Sequence, residues 1–179
     1  MRLFTGIPIP GDIREDIAAF IADAPVNMKG VKWVGKNNFH ITLKFFGEVE
    51  GDIVSSIIEG LLESAAGKEP FLISLSSVGA FPSLKYPRVY WIGVEKGSEM
   101  VKNLHDDIQR EMRKLGFAAE GRRFHPHCTI GRVRKFARDI QFAPEKSSFG
   151  EFVAKNFCLY KSTILKSGPI YDIIETIEL

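Results

Sequence analysis

The segments His40-Ile-Thr-Leu43 and His127-Cys-Thr-Ile130 share one pattern: a histidine, any residue, a threonine and an aliphatic residue. Each copy lies in an apolar stretch that predicts a β-strand, and each follows a predicted helix at a similar distance. Because the 179-residue chain has four His and five Thr, two copies of this pattern indicate an internal repeat.

The spacing within each copy has a direct structural meaning. Side chains at positions i and i+2 of a strand point to the same face. His40 and Thr42 are therefore expected on one face, and His127 and Thr129 on one face of their own strand, while the residues between them point to the core. If the two strands face each other across a cleft, the cleft holds two imidazoles and two hydroxyls.

This set of groups suits chemistry at phosphorus. Histidine titrates near pH ~6.5, so one imidazole can accept a proton from attacking water while the other donates a proton to the leaving oxygen. Threonine hydroxyls can donate hydrogen bonds to the phosphate oxygens, where negative charge grows in the transition state. No metal or other cofactor is required, and a strained cyclic phosphodiester is a fitting substrate.

Two other interpretations of the motif stay open at this stage. A single H-x-T in a strand is most often a half-buried β position without a chemical role. Metal binding is the other interpretation, since His125-Pro126-His127 forms an H-x-H with His40 as a third ligand. No carboxylate lies close in sequence to support a metal, and His125 has no counterpart in the first copy.

Around the motifs, the order of elements predicts an α+β fold with antiparallel sheet. Residues 134–155 show no clear periodicity and predict a long loop, either a lid or a surface insertion. Turn residues and hydrophobic periodicity place the remaining elements. Strands are predicted at 3–9, 31–34, 39–49, 71–78, 89–94, 125–133, 157–165 and 171–179, and helices near 12–25, 52–67 and 98–116.

Composition limits the classes of protein that fit. No linker or low-complexity segment interrupts residues 1–179, so one domain is expected. Cys128 and Cys158 are too few for a disulfide framework. The start of the chain lacks a secretory signal, and no apolar window reaches membrane-spanning length. We therefore expect a cytoplasmic protein with no membrane partner.

The net charge of +2 excludes a nucleic-acid protein that binds by bulk charge, but its distribution is uneven. Residues 28–44 contain four Lys and no acidic residue, and residues 110–138 contain nine Lys or Arg and two Glu. These two segments carry +11 together, which leaves −9 on the rest of the chain. Since each basic segment contains one H-x-T motif, the pattern favours guidance of an anionic RNA end into the proposed cleft.

The motifs and their flanks resemble those of the two-histidine phosphoesterases, and within them the RNA 2′,3′-cyclic phosphodiesterases, also called 2′-5′ RNA ligases. The resemblance covers nearly the whole chain. The paired H-x-T with its flanks is specific, whereas each flank alone is weak. The segments that carry it are 1–10, 33–34, 38–47, 79–82, 87–93, 124–132, 159–162 and 168–171.

This resemblance implies a single domain of two pseudo-symmetric lobes of antiparallel sheet, with helices packed outside, around a central cleft. It implies hydrolysis of a terminal RNA 2′,3′-cyclic phosphate to a 2′-phosphate, with His40 as proton donor and His127 as proton acceptor. Thr42 and Thr129 would hold the phosphate. The resemblance implies no metal. The implied partners are RNA ends, including those of tRNA fragments, and the implied active form is a monomer.

Further candidates for phosphate binding surround the motifs. Strand alternation places Lys44 on the face of His40 and Thr42. Arg132 is five positions after His127, so it reaches the cleft only through a bulge or at the strand end. Arg123, with Arg122, precedes the second motif and could contact flanking RNA phosphates. Three aromatic residues could stack on a base, although aromatic residues near a strand are more often part of the core: Trp33, Phe46 and Phe124.

Three alternatives to RNA hydrolysis remain. The same residues could join a 2′,3′-cyclic phosphate to a 5′-hydroxyl, which is the reverse reaction. The substrate could instead be a cyclic phosphate on a small nucleotide. A different class is a non-catalytic module that binds RNA ends, although binding alone needs neither both His nor both Thr.

Overall fold

The computed structural model describes residues 1–24, 30–134, 148–166 and 168–179. In these residues the chain forms nine strands and three α-helices, with short 3₁₀ turns at Lys36–Asn38 and Gly51–Ile53. The helices are α1 (Gly11–Ala22), α2 (Val54–Ala65) and α3 (Ser98–Lys114). The strands are β1 (Arg2–Pro8), β2 (Val31–Trp33), β3 (His40–Glu48), β4 (Phe71–Phe81), β5 (Val89–Val94), β6 (His127–Val133), β7 (Ser148–Ala154), β8 (Asn156–Leu165) and β9 (Gly168–Glu178).

All of the strand pairs are antiparallel, and the sheet has the order β7-β4-β5-β6-β3-β1-β8-β9, with β2 paired to β6. The two motif strands, β3 and β6, are central neighbours. Each is the inner strand of a four-stranded half, so the halves are related by pseudo-symmetry about the line between them. This arrangement confirms the prediction of an α+β fold with two similar lobes of antiparallel sheet.

The helices are amphipathic and cover the sheet from outside. Helix α3 buries Val101, Leu104, Ile108 and Met112, which recur at helical spacing and therefore share one face. It packs against β3 and against α2, while α1 contacts β7. The apolar side chains that point away from the motif faces, Ile41, Leu43, Cys128 and Ile130 among them, are buried in the same core.

The prediction of a loop over 134–155 is wrong in its last part, because 148–154 forms strand β7 and pairs with β4 along its length. Burial alternates from Gly150 to Ala154, but the apolar side chain of Val153 lies on the exposed face, so the sequence shows no alternation of apolar and polar residues. Residues 135–147, where a lid or an insertion was expected, lie outside the described residues.

Each motif strand contains a β-bulge directly after its threonine. In β3 the register against β1 shifts between Thr42 and Lys44, which makes Leu43 the extra residue. In β6 the register against β5 shifts between Thr129 and Gly131, which makes Ile130 the extra residue. An extra residue reverses the alternation of faces beyond it. The side chains after each bulge therefore point to the side opposite to the one that strict alternation predicts.

Within the part of the chain that the structure describes, no helix has both the length and the apolar composition needed to cross a membrane.

The close approach of β1 to β3 at Gly6 can be tested by a single methyl group. A Cβ at Gly6 would lie 2.7 Å from the Ile41 carbonyl oxygen and 3.1 Å from the His40 ring. We expect Gly6→Ala to lower the free energy of unfolding by about 1–3 kcal/mol, since the backbone must move to admit it. Denaturant unfolding measures this change.

Gly51→Ala is the matched control, because an added Cβ there has no neighbour within 4 Å. We expect it to change the free energy of unfolding by less than about 0.5 kcal/mol. Equal stability of the two variants would show that β1 and β3 are farther apart at Gly6 than described.

Candidate active site

The imidazole of His40 is held by its own strand and the turn before it. Its Nδ1 lies 2.7 Å from the carbonyl oxygen of Asn38, and its Nε2 lies 2.8 Å from Thr42 Oγ1. Because a carbonyl oxygen can only accept, Nδ1 carries the hydrogen in the neutral ring. Nε2 then accepts from the Thr42 hydroxyl, which leaves this nitrogen as the one that can take up or release a proton.

His127 is held in the same way. Its Nδ1 lies 2.6 Å from the carbonyl oxygen of His125, two positions before it, as Asn38 is before His40. The same reasoning assigns the hydrogen to Nδ1 and leaves Nε2 as the basic nitrogen. Both motifs therefore present an imidazole of one tautomer, oriented by a backbone carbonyl, which is the arrangement needed for proton transfer.

The two motif strands meet at one registered pair, Ile41 opposite Cys128. In antiparallel pairing, the residues on either side follow in opposite directions. His40 is therefore adjacent to the position of Thr129 across the strands, and Thr42 to that of His127. Each imidazole lies across from the hydroxyl of the other motif, so the four side chains surround one common gap.

The environment of both imidazoles disfavours the charged form. Burial lowers the pKa of His40 to about 4; the hydrogen bond to Asn38 opposes this shift, and the positive charges of His127 and Arg132 add to it. Burial also lowers the pKa of His127. The hydrogen bond to the His125 carbonyl opposes this shift, and the positive charges of His125 and Arg132 lower the pKa further. His40 is therefore neutral at neutral pH in the free protein, and the environment of His127 favours its neutral form as well.

Aromatic rings provide the burial on both sides. The ring of His40 lies 4.8 Å from that of Phe4 and 5.5 Å from that of Tyr171. The ring of His127 lies 5.0 Å from that of Phe81 and 6.1 Å from that of Trp91. Each imidazole thus has an apolar wall behind it, which excludes water and disfavours the charged form.

Arg132 reaches the site through a bulge, whereas strict strand alternation would place it on the opposite face. The bulge at Ile130 turns Arg132 to the face of His127 and Thr129, and its charge acts on both imidazoles. Its side chain is exposed. The structure therefore brings together five of the candidates, His40, Thr42, His127, Thr129 and Arg132.

Lys44 lies elsewhere, and the expectation that it shares a face with Thr42 is wrong. The bulge at Leu43 turns Lys44 to the core side, where it is 2% exposed and donates to Gln109 Oε1 at 2.7 Å. Burial lowers the pKa of Lys44. The negative charge of Glu120 opposes this shift, and the positive charge of Arg113 lowers the pKa further. Arg123 is also apart from the four motif side chains, since it lines a pocket beside α3.

Phe45 lies on the same face of β3 as His40 and Thr42, and the sequence analysis did not name it. It is five positions after His40, as Arg132 is after His127, and both follow a bulge. Its side chain is 58% exposed and its ring lies 5.8 Å from that of Phe4. Alignment of the two repeats beyond the H-x-T core would have paired Phe45 with Arg132. Phe46, which was a stacking candidate, is instead 9% exposed and packs on Phe117.

Among residues 1–24, 30–134, 148–166 and 168–179, no group of three or more His, Cys, Asp or Glu side chains is arranged to hold a metal ion. His125 packs on Trp91 with ring centroids 4.8 Å apart. Cys128 is fully buried, and burial raises the pKa of its thiol to about 12.

Comparison with known proteins places this site in a family. A family model described as LigT like phosphoesterase matches residues 7–91 and 92–171, and each matched segment contains one H-x-T motif. The chain therefore belongs to the LigT-like phosphoesterases, which confirms the resemblance drawn from the motifs. The RNA 2′,3′-cyclic phosphodiesterase of Methanocaldococcus jannaschii is 40% identical to it, over 98% of this chain and 99% of that protein. The RNA 2′,3′-cyclic phosphodiesterase of Archaeoglobus fulgidus is 36% identical, over 99% of this chain and 100% of that protein.

Solved structures agree with the fold. The crystal structure of a Thermus thermophilus protein superposes with a TM-score of 0.87 at 24% identity, over 100% of this chain and 98% of that one. E. coli LigT in its apo form gives a TM-score of 0.80 at 26% identity, over 99% and 96% of the two chains.

The placement of Arg132 and Lys44 predicts that their substitution has different effects on the titration of the imidazoles. We expect Arg132→Gln to raise the pKa of both His40 and His127, because it removes a nearby positive charge. Lys44→Gln, which removes the same charge from the other face of β3, is expected to leave both pKa values unchanged. NMR titration of the imidazole signals measures the shifts. A larger shift in the Lys44 variant would contradict the described bulges.

Proposed function

We propose that the protein hydrolyses the terminal 2′,3′-cyclic phosphate of RNA to a 2′-phosphomonoester without a metal ion. The observation that carries this proposal is the pair of imidazoles, each oriented through Nδ1 by a backbone carbonyl and each facing the hydroxyl of the other motif. The names of the full-length relatives, which are RNA 2′,3′-cyclic phosphodiesterases, support the choice of substrate.

In the proposed reaction, Nε2 of His127 takes a proton from water, and the oxygen of that water attacks phosphorus. The bond between phosphorus and the 3′ oxygen breaks, and Nε2 of His40 gives its proton to that oxygen. The products are a 2′-phosphate and a 3′-hydroxyl, and the net proton count is unchanged. The two motifs are nearly symmetric, so the assignment of donor and acceptor rests on the family resemblance.

The remaining polar groups stabilise the phosphate. The hydroxyls of Thr42 and Thr129 donate to its non-bridging oxygens, and the Arg132 guanidinium offsets the charge that grows on them. Thr42 contacts His40 Nε2 in the free protein, so substrate binding exchanges that contact for one to phosphate. The same groups support the reverse reaction, 2′-5′ joining of a cyclic phosphate to a 5′-hydroxyl, because each proton transfer is reversible.

Substrate binding also favours the protonated imidazole that the reaction needs as proton donor. With a pKa of about 4, His40 is unprotonated at neutral pH in the free protein. A phosphodiester carries one negative charge, and an anion close to an imidazole favours its protonated form. The bound substrate therefore raises the pKa of the imidazoles that act on it.

Two other functions use the same cleft. One is hydrolysis of a cyclic phosphate on a small nucleotide. The exposed ring of Phe45 and the guanidinium of Arg132 are groups on which a nucleobase can stack, and they suit either substrate. The other is a module that binds RNA ends without turnover, which would make no use of two tautomer-matched imidazoles.

The proposal is tested with an RNA oligonucleotide that ends in a 2′,3′-cyclic phosphate, incubated with EDTA-treated protein. We expect a 2′-phosphate end to form. His40→Asn and His127→Asn should each lower kcat by about 10²–10⁴-fold, since each removes one proton-transfer group. Thin-layer or liquid chromatography of the RNA ends measures the product.

Thr42→Val and Thr129→Val are expected to be slower than Thr163→Val, a matched control on the exposed part of β8. A 2′,3′-cyclic mononucleotide assayed in parallel distinguishes RNA from a small substrate by the ratio of kcat/KM values. Turnover that requires added metal, or that persists in either His variant, would refute the mechanism. Binding of the RNA end without turnover would favour the module.

The lowered pKa values predict the pH dependence. The reaction needs one neutral and one protonated imidazole, and both free-protein pKa values lie below 6.5. We expect kcat/KM, which reports the free protein, to rise as pH falls below 7 and to decline again near pH 4. The alkaline limb of kcat should lie at higher pH, because bound phosphate raises both pKa values.

Initial rates at low and at saturating RNA, with circular dichroism to confirm that the protein stays folded, measure the two profiles. A maximum of kcat/KM above neutral pH would contradict the described burial of the imidazoles.

The proposal extends to the context of the reaction. The protein acts as a monomer and as one bilobal domain over residues 1–179, in the cytoplasm, on RNA ends that include tRNA fragments. The continuity of the sheet across β3 and β6 supports a single domain. Light scattering of the purified protein tests the monomer, and activity on cleaved tRNA compared with an unstructured oligonucleotide tests the substrate.

A further inference from the structure

A pocket of about 370 Å³ lies between α3 and the segment that leads to the second motif, apart from the four motif side chains. Four cationic side chains line it: Lys102 and Arg113 from α3, and Arg122 and Arg123 from the segment before β6. Its volume is in the range of small-molecule sites, which is roughly 300–1,000 Å³.

One residue that lines this pocket, Gln109, has a buried hydrogen-bond donor without a partner among the described residues. Gln109 is 6% exposed, and its Oε1 accepts a hydrogen bond from Lys44 Nζ at 2.7 Å. Since an ammonium can only donate, this contact assigns the oxygen and leaves the amide NH₂ on the other side. Among the described residues, that nitrogen has no hydrogen-bond partner. A buried N–H without an acceptor costs free energy, so an oxygen from a ligand would be favourable there.

The charge around Gln109 points to an anion. Lys44 is 2% exposed, and the two acceptors that it contacts, Gln109 Oε1 and the Ala118 carbonyl oxygen, are neutral. Arg113 is close enough to oppose the charge of Lys44, and Glu120 is the anion that partly offsets it. A negative group in the pocket would therefore satisfy both the amide and the excess of cations.

The other lining groups narrow the class of ligand. Phe124 lines the pocket and stacks on His105, with ring centroids 3.8 Å apart and planes at 4°, so it offers an aromatic surface in a fixed position. Asp106 and Glu120 line it as well, and their carboxylates accept hydrogen bonds from hydroxyl or amino groups. A ligand with a phosphate, hydroxyls and a planar base matches all of these groups.

We propose that this pocket is a second binding site, which takes one nucleotide with its phosphate on the arginines and on the Gln109 amide. It is distinct from the catalytic cleft, because Gln109 contacts Lys44 on the face of β3 opposite to Thr42. The nucleotide comes either from the RNA substrate itself or from a free nucleotide, and both sources present the same phosphate chemistry.

Binding is measured by calorimetry with 5′-AMP as the probe, on protein that carries both His40→Asn and His127→Asn. This background is inactive by design, so the result does not depend on the proposed reaction. We expect saturable binding of 5′-AMP at one site that persists when both catalytic imidazoles are absent. Absence of binding would overturn the proposal.

Two variants of the pocket give the decisive comparison. Gln109→Glu places a carboxylate beside Lys44, so the fold is retained while the pocket repels an anion; we expect 5′-AMP affinity to fall at least about tenfold. Arg113→Gln removes one lining cation and should also weaken binding. Arg110→Gln is the matched control, since Arg110 lies on the same helix, is paired with Asp107 and is outside the pocket lining.

Thermal unfolding of each variant confirms that the fold is intact. Unchanged 5′-AMP affinity in both Gln109→Glu and Arg113→Gln would overturn the site.

Fluorescence anisotropy with a labelled six-nucleotide RNA distinguishes the two sources in the same inactive background. If Arg113→Gln weakens binding of this RNA and 5′-AMP competes with it, the pocket takes a nucleotide of the substrate. If Arg113→Gln weakens only 5′-AMP binding, the pocket takes a free nucleotide. Either result supports the site. If Arg113→Gln weakens binding of neither the RNA nor 5′-AMP, the site is contradicted.

Discussion

The site depends on the single registered contact between its two halves, the pairing of Ile41 with Cys128 at the centre of the sheet. Both residues are fully buried, so the apolar core holds this register. A slip by one residue would turn every side chain of one motif to the other face. The core residue between His and Thr in each motif therefore determines that the imidazoles and hydroxyls share one gap.

Within that gap, the structure favours neutral imidazoles over charged ones. Aromatic rings behind His40 and His127 remove water, and Arg132 adds a positive charge near both. The backbone carbonyls oppose this effect only partly, while they also hold each ring in one orientation. In the free site the Arg132 guanidinium is charged, whereas the imidazoles favour the unprotonated form. An anion that enters is therefore stabilised both by Arg132 and by protonation of the imidazoles.

Much of this arrangement could be predicted from the sequence, because the H-x-T repeat combines a strand period with reactive side chains. The strand alternation of His40, Thr42, His127 and Thr129 required no tertiary information. The placement of Lys44 and Phe45 could not be predicted in the same way. Each bulge depends on pairing with a neighbouring strand, which a single strand's pattern does not contain. Strand β7 was missed for a different reason, since Val153 puts an apolar side chain on its exposed face and hides the period of two.

The bulges also explain how one strand can serve two surfaces. Without the extra residue at Leu43, Lys44 would lie beside Thr42 and its charge would act on the catalytic imidazoles, as that of Arg132 does. With it, the ammonium crosses to the helical side and fixes the orientation of the Gln109 amide. Cations within the basic segments are thereby divided between the cleft and the pocket beside α3. Thr42 and Lys44 are thus only two positions apart in the chain, yet their side chains lie on opposite faces of the sheet.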